Sequence, residues 1–261
     1  MTHWTAFLST VALCMMRPLG VLIVLPMFTS RGLGGSLVRN ALVLLIALPV
    51  IPVYLGTPVA GTGAGFSGTE LVVLYGREIM IGLMIGFCSA LPFWAMDMAG
   101  FVIDTMRGTS IASAINPALG EQSSIFGILF SQTLSAIFLV SGGFTTLLSA
   151  IYDSYVALPP QPSLVIGPGL MQFISSEWRM MVDLCISFAL PSMAGMVLVD
   201  MAFGFVNRAA EQLNVFFIAM PVKSGVVLFV TAIGINFALE GFNARFAGFK
   251  AVSAQLIGFL Q

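Results

Sequence analysis

Residues 123–152 run for thirty positions without one charged side chain. A helix rises about 1.5 Å per residue and the hydrocarbon core of a bilayer is about 30 Å thick, so about 20 apolar residues are enough to cross it. A run of this length predicts a chain built for lipid, and the composition agrees. Apolar residues make up 58% and charged ones 8%, against about 45–50% and about 25% in soluble domains. Mean hydropathy is +1.03. Ten basic and 11 acidic residues are too few to solvate a globule of this size.

Several classes fall away on the same grounds. Intrinsic disorder requires low hydrophobicity and high net charge, whereas the net charge here is -1. Nucleic-acid binding requires a basic stripe that displaces counterions, and the basic residues are scattered singly from Arg17 to Lys250. Cys14, Cys88 and Cys185 each lie in an apolar stretch and read as small buried hydrophobes, not a disulfide framework. His3, the one histidine, has no second ligand at metal-binding spacing, so neither a metal nor a cofactor is expected. The first segment lacks an N-terminal basic residue and its apolar run continues past Arg17-Pro18 to Phe28. It is therefore expected to remain in place and not to be cleaved as a signal peptide.

Apolar windows fall near 5–28, 37–55, 71–103, 123–152, 182–206 and 222–239. The charge-free cores of the last two, 184–199 and 224–239, are only sixteen residues each, about 24 Å of helix, and are marginal as isolated spans. Gly-rich breaks at 29–35 and 56–68, and Pro159-Pro-Gln-Pro162 with Gly167-Pro-Gly169, mark connections. We read one helical domain with no catalytic module and no fixed-period repeat.

The positive-inside rule puts the first loop, with Arg31 and Arg39, in the cytoplasm and the uncharged N-terminus outside. It fails at the C-terminal end. Arg208 and Lys223 precede 224–239 while Arg245 and Lys250 follow it, so either that segment does not cross or partners, not lipid, position the finished protein.

Arg17, Glu78, Asp97, Asp104, Asp183 and Asp200 interrupt apolar stretches, where an ionisable group costs about 2.5–3.5 kcal/mol on insertion scales. They need partners or water. Asp104 and Arg107 are three apart and able to pair on one helical face, and Arg17 has Glu78 or Asp97 as candidates across helices. A proton or ion relay is one reading. Interhelical pairing that fixes register is favoured, since the carboxylates fall in different segments without a repeated motif. Gly82-Leu-Met-Ile-Gly86 has the spacing that permits close backbone approach between membrane helices.

Two segments have the wrong composition for lipid. Residues 104–123 are rich in small and hydroxyl side chains, with Asn116-Pro117 and Gly120 breaking any helix, and residues 207–225 place a polar turn, an aromatic cluster and Pro221-Val222-Lys223 between two helices expected to be short. Non-helical backbone near a membrane persists only where protein or a wet cavity satisfies its amides. Both segments are expected to face subunits or a pore.

The same stretches carry a family resemblance. Pro92-Phe-Trp-Ala-Met-Asp-Met-Ala-Gly-Phe-Val-Ile-Asp-Thr-Met-Arg-Gly108 and Asn207-Arg-Ala-Ala-Glu-Gln-Leu-Asn-Val-Phe-Phe-Ile-Ala-Met-Pro-Val-Lys-Ser224 resemble the SctT family of type III secretion export-gate proteins, relatives of flagellar FliR. Leu33-Gly-Gly-Ser-Leu-Val-Arg-Asn40, Gly76-Arg-Glu-Ile-Met-Ile-Gly-Leu-Met-Ile-Gly86 and Ser141-Gly-Gly143 support it, and the Phe-Trp and Asp-Thr-Met-Arg-Gly forms look more like the injectisome branch. The match runs over nearly the whole chain, with 240–261 outside it.

The resemblance implies an all-α membrane protein whose helical hairpins pack into a multi-subunit export-gate cone. It implies an SctR-like part at 1–183 containing a plug loop at 104–123, then an SctS-like helical hairpin at 184–261 with a joint at 207–223. Partners would be several copies each of SctR and SctS, the SctU switch protein, inner rod or needle-adaptor proteins, unfolded secretion substrates and membrane lipid. The location would be the bacterial inner membrane, multi-pass, within the basal body and displaced toward the periplasm. Arg107, Gly108, Ser110, Ile111, Ala112, Ser113, Asn116 and Pro117 would belong to the pore plug. Arg17, Glu78, Asp97, Asp104, Asp200, Asn207, Arg208, Asn214, Pro221 and Lys223 would be buried or assembly polar residues. No residue is expected to be catalytic. The rival from another class is a secondary transporter or proton channel using the intramembrane carboxylates; an enzyme of the bilayer has no motif behind it.

Overall fold

The computed structural model describes residues 2–28, 35–55, 68–108, 124–160, 167–210, 212 and 214–260. These residues form helices and turns, with no strand among them. The helices are α1 (Thr2–Val24), α2 (Gly35–Ala47), α3 (Ile51–Leu55), α4 (Gly68–Arg107), α5 (Ile125–Val140), α6 (Gly143–Ala157), α7 (Leu170–Ala209) and α8 (Val215–Gly258). A short 3-10 turn, Pro26–Phe28, follows α1. Four helices are long and apolar enough to cross a membrane, or five if α5 and α6 together make one broken span.

Helix lengths differ from the sequence expectation in a consistent direction. The two sixteen-residue segments lie inside α7 and α8, which are 40 and 44 residues long. Charged residues that close an apolar window do not end a helix when they pair with each other, as Asp200 at the end of the first segment and Lys223 at the start of the second do. The thirty-residue run at 123–152 is two helices. Ser141-Gly142 separates them, and Gly142 adopts φ 80, a left-handed conformation that costs a residue with a Cβ about 1–2 kcal/mol.

The chain divides into two compact units. The first comprises residues 1–91, 138–177 and 245–261. Its core holds Leu13, Val21, Leu22, Ile81, Ile85, Leu147 and Ile151, all nearly inaccessible. Here α1 and α4 cross at backbone distance. A Cβ on Gly82 would strike the Arg17 carbonyl, one on Gly86 would lie 2.9 Å from the Val21 Cα, and one on Gly20 would lie 2.6 Å from the Ile79 carbonyl oxygen. The Gly82/Gly86 spacing thus serves as read from the sequence.

The second unit comprises residues 92–137 and 178–244. Its packed centre uses Phe93, Ile103, Phe126, Phe130 and Leu134, with Phe130 edge-on to Phe188 at 4.9 Å between centroids. Gly100 on α4 meets the backbone of Gly127 on α5, where no Cβ fits. Much of the rest of this unit is open. Phe205, Phe217 and Phe229 are each at least 64% exposed, and only 11% of the span 217–234 is buried within the chain. Such a surface needs lipid or protein against it.

Candidate functional site

Two polar clusters stand out, one in each unit. The first is built on Arg17 of α1 and Glu78 of α4, both with side chains fully inaccessible. The guanidinium meets the carboxylate with two prongs, Nε to Oε2 and Nη2 to Oε1, the latter at 3.1 Å. Its remaining donors reach Ser154 Oγ at 3.1 Å and the Leu158 carbonyl, and its carbon lies 4.3 Å from the centre of the Tyr155 ring. Arg77 adds a second cation, donating to Glu78 at 3.4 Å and to the Pro159 carbonyl at 2.9 Å.

Two arginines against one glutamate would leave a buried excess of charge if side chains were the whole account. The C-terminal end of α6 supplies the balance. The Leu158 and Pro159 carbonyls follow the last turn of α6, where backbone acceptors lack intrahelical donors and the helix dipole is negative. The cluster therefore fixes α1, α4 and the exit from α6 in one arrangement.

Proline shapes the same place. Pro18 lies inside α1 and has no N–H for the carbonyl four residues earlier. That carbonyl belongs to Cys14, and the Tyr155 hydroxyl donates to it at 2.8 Å. Tyr54 in turn donates to the Tyr155 carbonyl at 3.1 Å; burial pushes the Tyr54 phenol up from its ordinary pKa, which keeps its proton on.

The second cluster surrounds the end of α4. Gly108, at φ 97, ends the helix in the left-handed conformation favoured just past a C-terminus. One oxygen of Asp104 accepts from Arg107 at 2.8 Å; the other accepts from Ser124 Oγ at 2.7 Å and the Phe126 N–H at 3.0 Å. Lys223 pairs with Asp200 at 2.6 Å and donates to the Met106 carbonyl at 3.3 Å. Arg107 reaches Ser224 Oγ at 3.4 Å and lies over the Phe126 ring at 4.9 Å. A cleft of about 610 Å³ opens beside this cluster, lined among others by Arg107, Gly108, Asp200, Asn207, Asn214 and Lys223.

The structure sorts the residues singled out from the sequence. Arg17, Glu78 and Asp104 are buried and paired, and of the two carboxylates offered to Arg17 it is Glu78 that meets it. Asp97 is exposed on α4 near Gly127. Asp200, Asn207, Arg208, Asn214 and Pro221 are exposed within the chain, while Lys223 is mostly covered. Ser110, Ile111, Ala112, Ser113, Asn116 and Pro117 lie outside the described residues. In the stretch expected to hold the joint, α7 runs to Ala209 and α8 starts at Val215, so the flanking helices are long where short ones were expected, and Pro221 lies inside α8, six residues after its start. Pro is compatible with this early position because neighbours can satisfy the carbonyl it frees. Arg77, Ser124, Ser154, Tyr155 and the Glu177–Arg245 pair were not picked out. Single serines and tyrosines carry no spacing signal, and their partners are set by helix crossing.

Residues 8–249 match the family described as bacterial export proteins, family 1. The secretion system apparatus protein SsaT of Salmonella typhimurium is 42% identical over 235 residues, which is 90% of each chain. Yop proteins translocation protein T of Yersinia pestis is 36% identical over 220 residues, 84% of this chain and 83% of that one. Flagellar biosynthetic protein FliR of Bacillus subtilis is 30% identical over 168 residues, 62% and 64% of the two chains. With the family's match running through both compact units and SsaT and Yop proteins translocation protein T more identical to this chain than FliR is, this protein belongs to bacterial export protein family 1, in its SctT/SpaR/YscT-like group related to FliR.

Proposed function

We propose that the chain is a non-catalytic subunit of a type III secretion export gate in the bacterial inner membrane, where it helps form a closed pore that unfolded substrates open. The observation that carries this reading is the likeness to a secretion apparatus protein over nine-tenths of both chains. On this reading 1–183 is the SctR-like part and 184–261 the SctS-like hairpin. The partners are several copies of SctR-like and SctS-like subunits, with an SctU-like switch protein, inner rod or needle-adaptor proteins and lipid around them. The wide exposure of apolar side chains on α7 and α8 supports a chain completed by neighbours. An assembly held by a basal-body ring and displaced toward the periplasm accounts for a C-terminal charge pattern that ignores the positive-inside rule.

Residues 107–120 act as the plug. Gly108, Ser110, Ala112 and Ser113 have no long side chains to anchor a plug, Ile111 offers a modest apolar group, and Asn116-Pro117 disfavours helix growth. A secondary transporter has less support, because Glu78 and Asp104 have their carboxylates occupied by arginines and by neighbouring donors.

Co-expression with SctR-like and SctS-like partners tests the assignment. A stable mixed complex containing one copy of this chain is expected by native mass measurement, and a monodisperse, protease-resistant monomer in detergent would overturn it. Within the complex, deletion of 110–116 should raise ion leakage; normal assembly with unchanged leakage removes the plug.

A further inference from the structure

The charged residues at the end of α4 connect three places in the second unit. Asp104 holds the last turn of α4 against the first turn of α5, since a single carboxylate serves Arg107 on one side and Ser124 and the Phe126 N–H on the other. An anion is favoured at that helix N-terminus. The chain entering residues 109–123 and the chain leaving them thus converge on one side chain. Lys223, on α8 just after the turn, reaches the same place. Its ammonium donates to the Met106 carbonyl, in the last turn of α4, while pairing with Asp200 near the end of α7. Ser224, its neighbour, accepts from Arg107.

We propose that Asp104, Arg107 and Lys223 form a latch fastening the end of α4 and the start of α5 to the beginning of α8, with Lys223 as its positioning residue and Asp200 as the half-exposed counter-charge beside it. The proposal deepens the plug reading and rests on it for its consequence, because the fastened ends are the two roots of the proposed plug. With that counter-charge, two acids and two bases leave the latch neutral, so no net repulsion opposes it in a low-dielectric setting. Its two ends differ. The Asp200 side chain is 51% exposed while that of Lys223 is 12% exposed. A half-wetted ion pair contributes little, whereas a cation on the unpaired carbonyls of a helix C-terminus meets both a hydrogen-bonding need and the helix dipole. The holding contact is the one from Lys223 to α4.

This asymmetry makes the latch separable from a simple ion pair. The measurement is backbone hydrogen exchange at residues 105–108 and 125–128 in the full chain, assembled with co-expressed partner subunits, alongside ion leakage of the same complexes. Lys223→Ala is expected to speed exchange about tenfold at both sites, and Lys223→Arg to leave it close to the unsubstituted protein. The swap Asp200→Lys with Lys223→Asp restores opposite charges but cannot donate to Met106, so exchange stays fast. Recovery of slow exchange in the swap overturns the latch, as does unchanged exchange in Lys223→Ala. Should Lys223→Ala fail to assemble, Asp200→Asn decides: the latch predicts exchange within about twofold of the unsubstituted protein, and a strong acceleration refutes it. Fast exchange with normal leakage keeps the latch and removes the plug. Slow exchange in Lys223→Ala, beside a leaking deletion of 110–116, removes the latch and keeps the plug.

Discussion

Removing Glu78 leaves Arg17 and Arg77 facing each other in a site without water access, since Arg17 is fully inaccessible and Arg77 nearly so. Breaking a buried pair from one side costs about 3–5 kcal/mol, so Glu78→Ala should lower the stability of the solubilised protein by that order in a denaturant titration. Replacing both partners by apolar residues, Arg17→Met with Glu78→Leu, should recover much of the loss, because the uncompensated charge is gone. Equal damage from the single and the double change would mean that the arginine is held chiefly by Ser154, Tyr155 and the Leu158 carbonyl. A second residue-scale prediction concerns Pro18. With no N–H there, the buried Cys14 carbonyl depends on the Tyr155 hydroxyl, and Tyr155→Phe should cost about 1–3 kcal/mol in the same titration. The sequence shows that Arg17 and Glu78 need partners, because a charge inside an apolar run is visible by inspection. It does not show that a helix C-terminus completes the cluster, because carbonyl direction is set by where α6 ends and not by any residue type.

At the scale of elements, the close crossing of α1 and α4 rests on glycines whose missing side chains are the contact itself. Gly82→Ala places a methyl group on the Arg17 carbonyl, and backbone cannot move aside as a flexible side chain can. Gly76, on the same helix, has nothing within 4 Å of where its Cβ would be. Gly82→Ala should therefore lower the melting temperature of the solubilised protein while Gly76→Ala leaves it unchanged or raises it slightly, as helix propensity favours alanine. Similar losses at both positions would remove the crossing as the cause. The Gly-x-x-x-Gly spacing made this contact legible. Element ends were legible only in part, for two physical reasons. Windows close at charged residues as though each helix stood alone in lipid, yet Asp200 of α7 and Lys223 of α8 pair with each other and both helices continue past them. Apolar composition also persists across 123–152, so only Ser141-Gly142-Gly143 marked the break, through a backbone conformation that composition does not encode.

For the whole molecule, the distribution of cations separates folding from assembly. Lys223 and Arg245 each have an ion-pair partner within the chain, Asp200 and Glu177. Arg208 and Lys250 are exposed and make no ion pair among the described residues. Sequence position alone groups Arg208 with Lys223 at the turn and sets Arg245 with Lys250 beyond it. The structure regroups them by what each side chain meets. Arg245→Ala should reduce thermal stability, because the buried Glu177 carboxylate loses its cation. Arg208→Ala and Lys250→Ala should leave stability unchanged, as surface substitutions away from such features do. Assembly is a separate readout. Arg208 belongs to the last turn of α7, in a stretch where apolar side chains such as Phe205 and Val206 are also uncovered, so a partner that covers that stretch must accommodate a guanidinium with a carboxylate or carbonyls of its own. Arg208→Ala should then lower co-purification with the proposed SctR-like and SctS-like partners without moving the melting temperature, whereas Lys250→Ala should move neither. A drop in stability with Arg208→Ala, or equal loss of co-purification from Lys250→Ala, would remove Arg208 from the docking surface.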